Sequence, residues 1–290
     1  MDQTKENLRR LDALRLYGGD TRIRDEYGNI VARASGSPFY QDKGAYRTLN
    51  ALLFPGIVSE YSRIFREGHM LNPVYLENLE DTIQLYCDIF YLMCETKDYR
   101  DNTNIIAKRV ERFSAKEEYE QKRTPSFVSA SKAGYSETFS LSKDEVMLLE
   151  IQVPANVPYL ELEVVLGEDY KYRDEKEVLL PPFVEVSLQE QKLEQEDRRG
   201  IRDKNGKPPR GKYRIYAKAF PDFGTFDSVA AKDKMLSEVC SQKETVQKAL
   251  EAMSRGKWEK DFSEYIEWKA RLQLYLKRIF SDMWYRGRTE

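Results

Sequence analysis

Two glutamates that are two residues apart, Glu175 and Glu177, stand directly before the apolar run "VLLPPF". Residues i and i+2 of a strand point to the same face, so a strand beginning here places both carboxylates side by side. Carboxylates in that position repel each other. The pair is either a charged strand edge that prevents aggregation, or it is kept because a reaction uses it.

The sequence excludes several common chemistries. The single histidine, His69, lies in "REGHMLNP" with no nucleophile motif beside it, which argues against a histidine-dependent triad. There is no Cys-x-x-Cys or histidine cluster for zinc, and no glycine-rich phosphate loop. We therefore assign the chemistry to carboxylates, hydroxyls and arginines, with no metal.

Composition indicates a folded protein. The chain has 290 residues, 41% of them hydrophobic, and its formal net charge is -2. The charge is uneven, because residues 191–290 are net basic and the rest net acidic. Three cysteines cannot all pair with each other, which favours reduced thiols and a cytoplasmic site of action. No window approaches the roughly 18 apolar residues that span a bilayer, so we expect no membrane partner.

Hydrophobic spacing divides the chain into three stretches. A short helix is predicted at the N-terminus, and helical spacing extends from Pro55 to about Phe113. From about residue 122 to 220, alternating or continuous apolar runs between turn residues predict a sheet. Helical spacing returns from Phe226 to the end. We expect a domain of residues 1–225, with a helical insertion at about 56–120 and a basic loop at 190–212, and a helical extension of 226–290 packed on it.

The β-region contains an ordered set of motifs. Ser129 and Ser131 form Ser-x-Ser in "PSFVSASK"; a strand ending in "QVP", a turn and the Glu-x-Glu pair follow in that order. This set resembles the R-S-E class of mono-ADP-ribosyltransferases, which includes cholera-toxin-like and arginine-specific enzymes. The resemblance implies an α+β fold: an ADP-ribosyltransferase-like core of two packed antiparallel sheets, with helical N-terminal and inserted segments and a helical C-terminal extension.

The resemblance also implies the roles of four residues. Cleavage of NAD between nicotinamide and ribose passes through an oxocarbenium-like state, and Glu177 corresponds to the carboxylate that stabilises it. Glu175 corresponds to the residue that meets the acceptor and helps to remove its proton, which in the family accompanies transfer to arginine. Ser129 orients Glu177, and Ser131 supports the neighbouring loop. Both serines are also expected on the side that binds NAD.

Further NAD contacts are implied less directly. The family uses a strand arginine to hold the NAD phosphates, and "GAYRTLN" offers Arg47 in the right order; Arg100 in "KDYRDNTN" is the alternative. If Arg47 is correct, the helices that follow it are an insertion between motifs. Tyr135 and Phe139 are expected either to sandwich the nicotinamide ring or to pack in the core.

Acceptor recognition is expected at two places. Tyr170 and Tyr172 lie in the turn before Glu175, where the family uses an aromatic residue to dock its target; they are either exposed for that purpose or packed. The basic stretch of residues 198–218, with Arg210 and Lys212, is either a solvated loop or a surface that tracks phosphates.

Three hypotheses about function follow. The first is a toxin or effector enzyme that modifies a protein side chain, with arginine preferred. The second is the same core acting on RNA or DNA, and the third is a catalytically silent binding module. A protein that consumes NAD harms its own cell, so the first two hypotheses imply a neutralising or chaperone partner.

Overall fold

The computed structural model describes most of the chain and divides it into two compact units. The helical unit comprises Met1–Cys94 and Asp222–Glu290, and the mixed unit comprises Glu95–Pro221. The described residues are 3–18, 23–24, 30–31, 45–53, 74–96, 104–141, 143–167, 170, 172–254 and 262–286.

The described residues form the following helices and strands. The helices are Gln3–Tyr17 (α1), Ala45–Leu53 (α2), Val74–Glu77 (α3), Leu79–Glu95 (α4), Lys116–Glu120 (α5), Glu137–Leu141 (α6), Leu162–Leu166 (α7), Gln195–Gly200 (α8), Val229–Ser241 (α9), Lys243–Ser254 (α10) and Phe262–Arg286 (α11). The strands are Ile23–Arg24 (β1), Ile30–Val31 (β2), Ile105–Arg112 (β3), Val128–Ser131 (β4), Val146–Val153 (β5), Leu160–Glu161 (β6), Glu177–Leu180 (β7), Glu185–Gln191 (β8) and Gly211–Ala219 (β9).

The mixed unit is built on one sheet of seven described strands, in the order β6-β7-β4-β3-β5-β9-β8. Strands β3 and β5 pair along their whole length, whereas β3 and β4 are joined only by the pair Lys108 and Ser131. Strands β5 and β9 run parallel. The predicted α+β character is observed; the described strands of this unit form one mixed sheet, and the arrangement of two packed antiparallel sheets stays a prediction. Alternation along a strand identifies the strand and its buried face, and it does not determine the partner or its direction.

Strand β3 corrects the predicted helical insertion of 56–120. Its buried residues are Ala107 and Val110, which are three apart, so the same residues also satisfy a helical period. The eight residue pairs that it forms with β5 show that the segment is a strand. Helix α4 agrees with the helical prediction, and residues 54–73 lie outside the described part.

The final helix packs with the N-terminal helices inside the helical unit. Lys269 Nζ donates to the carbonyl of Ala51 over 3.2 Å, and Gln273 Nε2 to that of Leu53 over 2.7 Å. These carbonyls lie in the last turn of α2, where side chains from other helices can bind carbonyl groups. Phe280 stacks on Phe90 with ring centroids 4.1 Å apart. The chain thus changes unit close to the predicted boundary at residue 225, but residues 1–94 group with the C-terminal helices and not with the sheet.

Candidate active site

The serines and the last glutamate of the motifs meet where β4 and β7 pair. The register opposes Ser131 to Glu177, and Ser129 to Leu179 two residues further along β7. Side chains that are opposite or diagonal on one face of such a pair lie within reach of each other. The Ser129 hydroxyl donates to Glu177 Oε1 over 2.5 Å. Ser129 therefore holds the Glu177 carboxylate.

A second hydroxyl holds the other oxygen of Glu177. Tyr170 OH donates to Glu177 Oε2 over 3.0 Å, and the tyrosine is only 2% exposed. The prediction that Tyr170 is exposed for docking a target is therefore wrong, because the phenol turns inward and finds its partner on the carboxylate. Tyr172 is half-buried, and its ring meets that of Tyr170 edge-on with centroids 5.9 Å apart.

Glu175 lies outside the strand that begins with Glu177. It ends a 3-10 turn, Arg173–Glu175, and Lys176 follows in the left-handed region with φ 46°. The prediction of both glutamates on one strand face is wrong for Glu175, because the left-handed residue interrupts the alternation. Glu175 is exposed. The Ser131 hydroxyl donates to the Glu175 carbonyl over 2.5 Å and so holds the turn against β4.

Both glutamates have raised pKa values. Burial raises the pKa of Glu177, and the hydrogen bonds from Ser129 and Tyr170, with the charge of Arg109, oppose this without cancelling it. Burial also raises the pKa of Glu175, and the charge of Glu177 adds to the effect. A carboxylate held by neutral hydroxyls keeps its charge available to a positive charge that develops nearby. The exposed glutamate beside it can accept a proton.

An arginine that was not predicted from the sequence contacts this cluster. Arg109 lies on β3, and its Nη1 donates to the carbonyl of Ser129 over 2.6 Å. Its Nε and Nη2 donate to Glu111 Oε2 over 2.8 and 2.5 Å. The segment "IIAKRVER" lies ahead of Ser-x-Ser and contains Arg109, so it offers the strand arginine that the resemblance implies. It was missed because the segment was interpreted as helix.

The other predicted NAD contacts are not brought to Glu177 by any described interaction. Arg47 lies on helix α2 and not on the predicted strand, and its side chain is outside the described part, as is all of Arg100. Phe139 lies on α6, and its side chain is likewise not described. Tyr135 packs against an apolar cluster of Val110, Val146, Leu148 and Ile201. Its ring is engaged in the core, and a role in binding NAD stays a prediction for all four.

The basic loop is held by ion pairs within the mixed unit. Arg210 Nη1 lies 2.9 Å from Glu145 Oε2. Lys212 Nζ lies 3.1 Å from Asp197 Oδ2 and 3.5 Å from Glu150 Oε1. Arg210 and Lys212, which were predicted to contact the acceptor, thus have acidic partners in their own chain. That pairing reduces the charge they can offer to phosphates.

The described residues contain neither a metal-ligand cluster nor a membrane helix. Within them, no three or more His, Cys, Asp or Glu residues lie close enough to hold a metal ion. None of the described helices combines the length and the apolar character needed to cross a bilayer. His69 lies outside this part of the chain.

Comparison with known proteins gives one structural likeness. No family model matches the chain, and no curated protein sequence matches it either. Among solved structures, the chain is similar to Plx2a, an ADP-ribosyltransferase toxin from Paenibacillus larvae, with 14% sequence identity and a TM-score of 0.33. The likeness covers 60% of this chain and 86% of that chain. At this identity and TM-score it does not establish a family.

Proposed function

We propose that this protein transfers a single ADP-ribose group from NAD to a macromolecular acceptor. The observation that carries the proposal is the pair of hydroxyl hydrogen bonds that holds both oxygens of Glu177. Glu175 stands beside it and is exposed. One carboxylate is thus fixed where a cation can form, and the other faces the solvent from which an acceptor arrives.

The reaction follows from these two positions. The bond between nicotinamide and ribose C1 breaks, nicotinamide leaves with the electron pair, and Glu177 stabilises the positive charge on the ribose. An acceptor nitrogen then bonds to C1 and loses a proton, for which Glu175 is the base. NAD is thus a substrate.

The arginine that holds the NAD phosphates has three candidates. The sequence resemblance favours Arg47, with Arg100 as its alternative. Arg109 is the candidate that the described contacts add, because its guanidinium reaches the backbone of Ser129 and its charge acts on Glu177, while its pairing with Glu111 reduces the charge it can offer to a phosphate. Measuring the NAD KM of Arg47→Ala, Arg100→Ala and Arg109→Lys distinguishes the three, since only the residue that binds phosphate raises KM when it is replaced.

A protein arginine is the acceptor that we propose. Glu175 is exposed in the turn before β7, and in the family that the sequence resembles the corresponding glutamate accompanies transfer to arginine. The charge of the turn itself favours neither acceptor, because Arg173 and Lys176 balance Asp174 and Glu175. The alternative, a nucleic acid, depends on the basic loop, in which Arg210 and Lys212 are paired with acids. The second alternative, a silent binding module, does not account for the two hydroxyl hydrogen bonds that hold Glu177.

The biological setting that we propose is a toxin or effector acting in the cytoplasm. An enzyme that consumes NAD and modifies macromolecules damages the cell that makes it. A neutralising or chaperone partner is therefore part of the proposal. Co-purification of the tagged chain from its native cells, with and without Glu177→Gln, tests for that partner.

The fate of labelled NAD tests the function. The full chain is incubated with NAD labelled in the adenine-containing part and a cell lysate, and the products are treated with protease or nuclease. Label released by protease alone supports a protein acceptor, and label released by nuclease alone supports the nucleic-acid alternative. If wild type and Glu177→Gln give equally little label and equally little free nicotinamide, the silent module is correct.

The separate roles of the two glutamates are tested in the same assay. Glu175→Gln is expected to abolish transfer while slow NAD hydrolysis continues, because water still reaches the ribose cation. Nicotinamide release measures hydrolysis, and macromolecular label measures transfer. Equal loss of both activities contradicts the assignment of Glu175 as the base for the acceptor.

A further inference from the structure

Tyr170 connects Glu177 with a surface loop. We call this the Tyr170 loop and define it by its described residues, Gly167, Tyr170 and 172–176. The loop reaches the Ser-x-Ser strand at its far end, where Lys132 N–H donates to the Lys176 carbonyl over 3.0 Å. At Tyr170 it reaches the carboxylate itself. With the bond from the Ser131 hydroxyl to the Glu175 carbonyl, the loop therefore touches the site at three separate points.

Backbone hydrogen bonds link the residues of the Tyr170 loop in sequence. Tyr170 N–H donates to the Gly167 carbonyl over 3.1 Å, and Arg173 N–H donates to the Tyr170 carbonyl over 3.3 Å. Glu175 N–H donates to the Tyr172 carbonyl over 2.9 Å. Because Tyr170 is bonded on both sides, a change in the outer residues acts on the position of its ring.

The outer side of the same loop is open to solvent. A shallow depression of about 410 Å³ lies there, lined by Glu163, Gly167, Arg173, Asp174 and Lys176. Arg173, Asp174 and Lys176 are exposed. The depression has charges of both signs and adjoins Glu175 in the chain, so a macromolecule that presents a side chain to Glu175 contacts this surface.

We infer that Tyr170 is a positioning residue which couples the conformation of the Tyr170 loop to the Glu177 carboxylate, so that a displacement of the loop is transmitted to this carboxylate. The inference rests on the contacts described above.

The groups that face Glu177 differ in how firmly their backbone is held. Ser129 lies in β4, paired with β7, and Arg109 lies in β3, which is paired along its length with β5. Glu175 contributes a repelling negative charge from the turn. Tyr170 is the described donor to Glu177 that belongs to no strand or helix. A loop movement therefore changes the Tyr170 hydrogen bond first.

The direction of the effect follows from which form of Glu177 accepts that bond. The phenol donates to the carboxylate and stabilises its charged form, so loss of the bond raises the pKa of Glu177. At a fixed pH, less of the glutamate is then ionised. A loop that holds Tyr170 in place keeps Glu177 charged, and a displaced loop lowers its charge.

The titration of Glu177 tests the coupling without any need for turnover. The side-chain carboxyl is followed by carbon-13 NMR in the full chain against pH, and its signal is assigned by its absence in Glu177→Gln. We expect Tyr170→Phe to raise the proton affinity of Glu177 roughly tenfold, the size of one hydrogen bond to a charged group. Tyr172→Phe, which removes a neighbouring phenol of the same loop, is the matched control and should leave the titration unchanged.

Gly167→Ala tests whether the loop transmits the change. Gly167 has φ +75°, and a Cβ added there meets no atom within 4 Å, so alanine strains the loop without a clash. We expect Gly167→Ala to shift the Glu177 titration in the same direction as Tyr170→Phe. In the Tyr170→Phe background it should add nothing, because the connection is already cut.

Two results overturn the inference: an unchanged Glu177 titration in Tyr170→Phe, or additive shifts in the double variant. If Tyr170→Phe does not fold, the coupling is tested in the wild-type chain by amide hydrogen exchange, corrected for the intrinsic effect of pH on the exchange rate. Exchange at residues 172–176 should slow as Glu177 ionises, and this slowing should be missing in Glu177→Gln. The same slowing in both chains contradicts the coupling. Absence of NAD turnover in wild type refutes the proposed function alone, since none of these readouts uses NAD.

Discussion

Two glutamates of the mixed unit, Glu177 and Glu111, are both largely buried and have opposite electrostatic surroundings. Glu177 accepts from two neutral hydroxyls, and burial keeps its pKa raised. Burial also acts to raise the pKa of Glu111, but the charges of Arg109 and Lys143 and a backbone N–H lower it to about 2. Burial thus leads to opposite net shifts, because Glu111 is in direct contact with two cations, whereas Arg109 acts on Glu177 only from a distance.

The difference separates a reactive carboxylate from a structural one. The charge of Glu111 is already neutralised, with Arg109 Nη2 at 2.5 Å and Lys143 Nζ at 3.7 Å. Glu177 is held by dipoles and has no cation in hydrogen-bonding contact among the described residues. The negative charge of the Glu177 carboxylate can therefore stabilise a cation that forms on a substrate. We therefore expect replacement of Glu177 to affect activity and replacement of Glu111 to affect stability.

The largest effect is expected from Glu177→Gln. It should reduce both NAD hydrolysis and transfer by about 100- to 1,000-fold, the loss typical of removing one preorganised charge-stabilising group. Stability should hold or rise. Because the folded state binds the Glu177 proton more tightly than the unfolded state, the ionised carboxylate costs stability above its ordinary pKa, and glutamine removes that cost. Nicotinamide release and thermal melting measure the two effects.

Normal turnover in a well-folded Glu177→Gln variant contradicts the assignment of Glu177. A melting temperature that falls strongly contradicts the comparison with Glu111 instead, because it makes Glu177 a structural residue.

The next largest effect is expected from Glu111→Gln, on stability. Removing one partner of this partly buried ion pair takes away the acid that Arg109 contacts, which should cost about 1–3 kcal/mol in the free energy of unfolding. Urea unfolding of the full chain measures it. NAD hydrolysis, measured where the variant is still folded, should change much less than in Glu177→Gln.

The pH dependence of stability sharpens this prediction. The folded pKa of Glu111 is about 2, below its ordinary value, so its contribution is present above the ordinary value and disappears as pH falls toward 2. The wild-type chain should therefore lose stability on acidification over that interval. Glu111→Gln should show a smaller loss. Identical acid unfolding curves for both chains contradict the lowered pKa.

The reliability of the sequence prediction varied with the range of the interactions involved. The resemblance carried by Ser-x-Ser and Glu-x-Glu implies that Ser129 orients Glu177, and the two side chains do meet, because β4 and β7 pair in the sheet although other strands lie between them in the chain. Their catalytic roles stay predictions. The β3 strand was missed, since Ala107 and Val110 fit a helical period and only pairing with β5 makes them a strand. The inward orientation of Tyr170 depends on a tertiary hydrogen bond, for which a turn sequence contains no signal.

The smallest effect is expected at ion pairs that are exposed, in contrast to Glu111. Lys204 Nζ lies 2.8 Å from Asp144 Oδ2, and Arg210 Nη1 lies 2.9 Å from Glu145 Oε2, with all four side chains about half exposed. Exposed pairs contribute at most about 1 kcal/mol each because water and salt screen them. The double variant Lys204→Ser with Arg210→Ser should therefore unfold at nearly the wild-type urea concentration.

The same double variant tests the acceptor. If the acceptor is a protein and the loop only closes ion pairs, transfer should be unchanged and its salt dependence should be the same as in wild type. A nucleic-acid acceptor gives a different result: labelling falls steeply with added salt, and the slope is reduced in the variant because phosphate contacts that release counterions are lost. Such a change in slope, without a change in stability, would reassign Lys204 and Arg210 from the fold to the substrate.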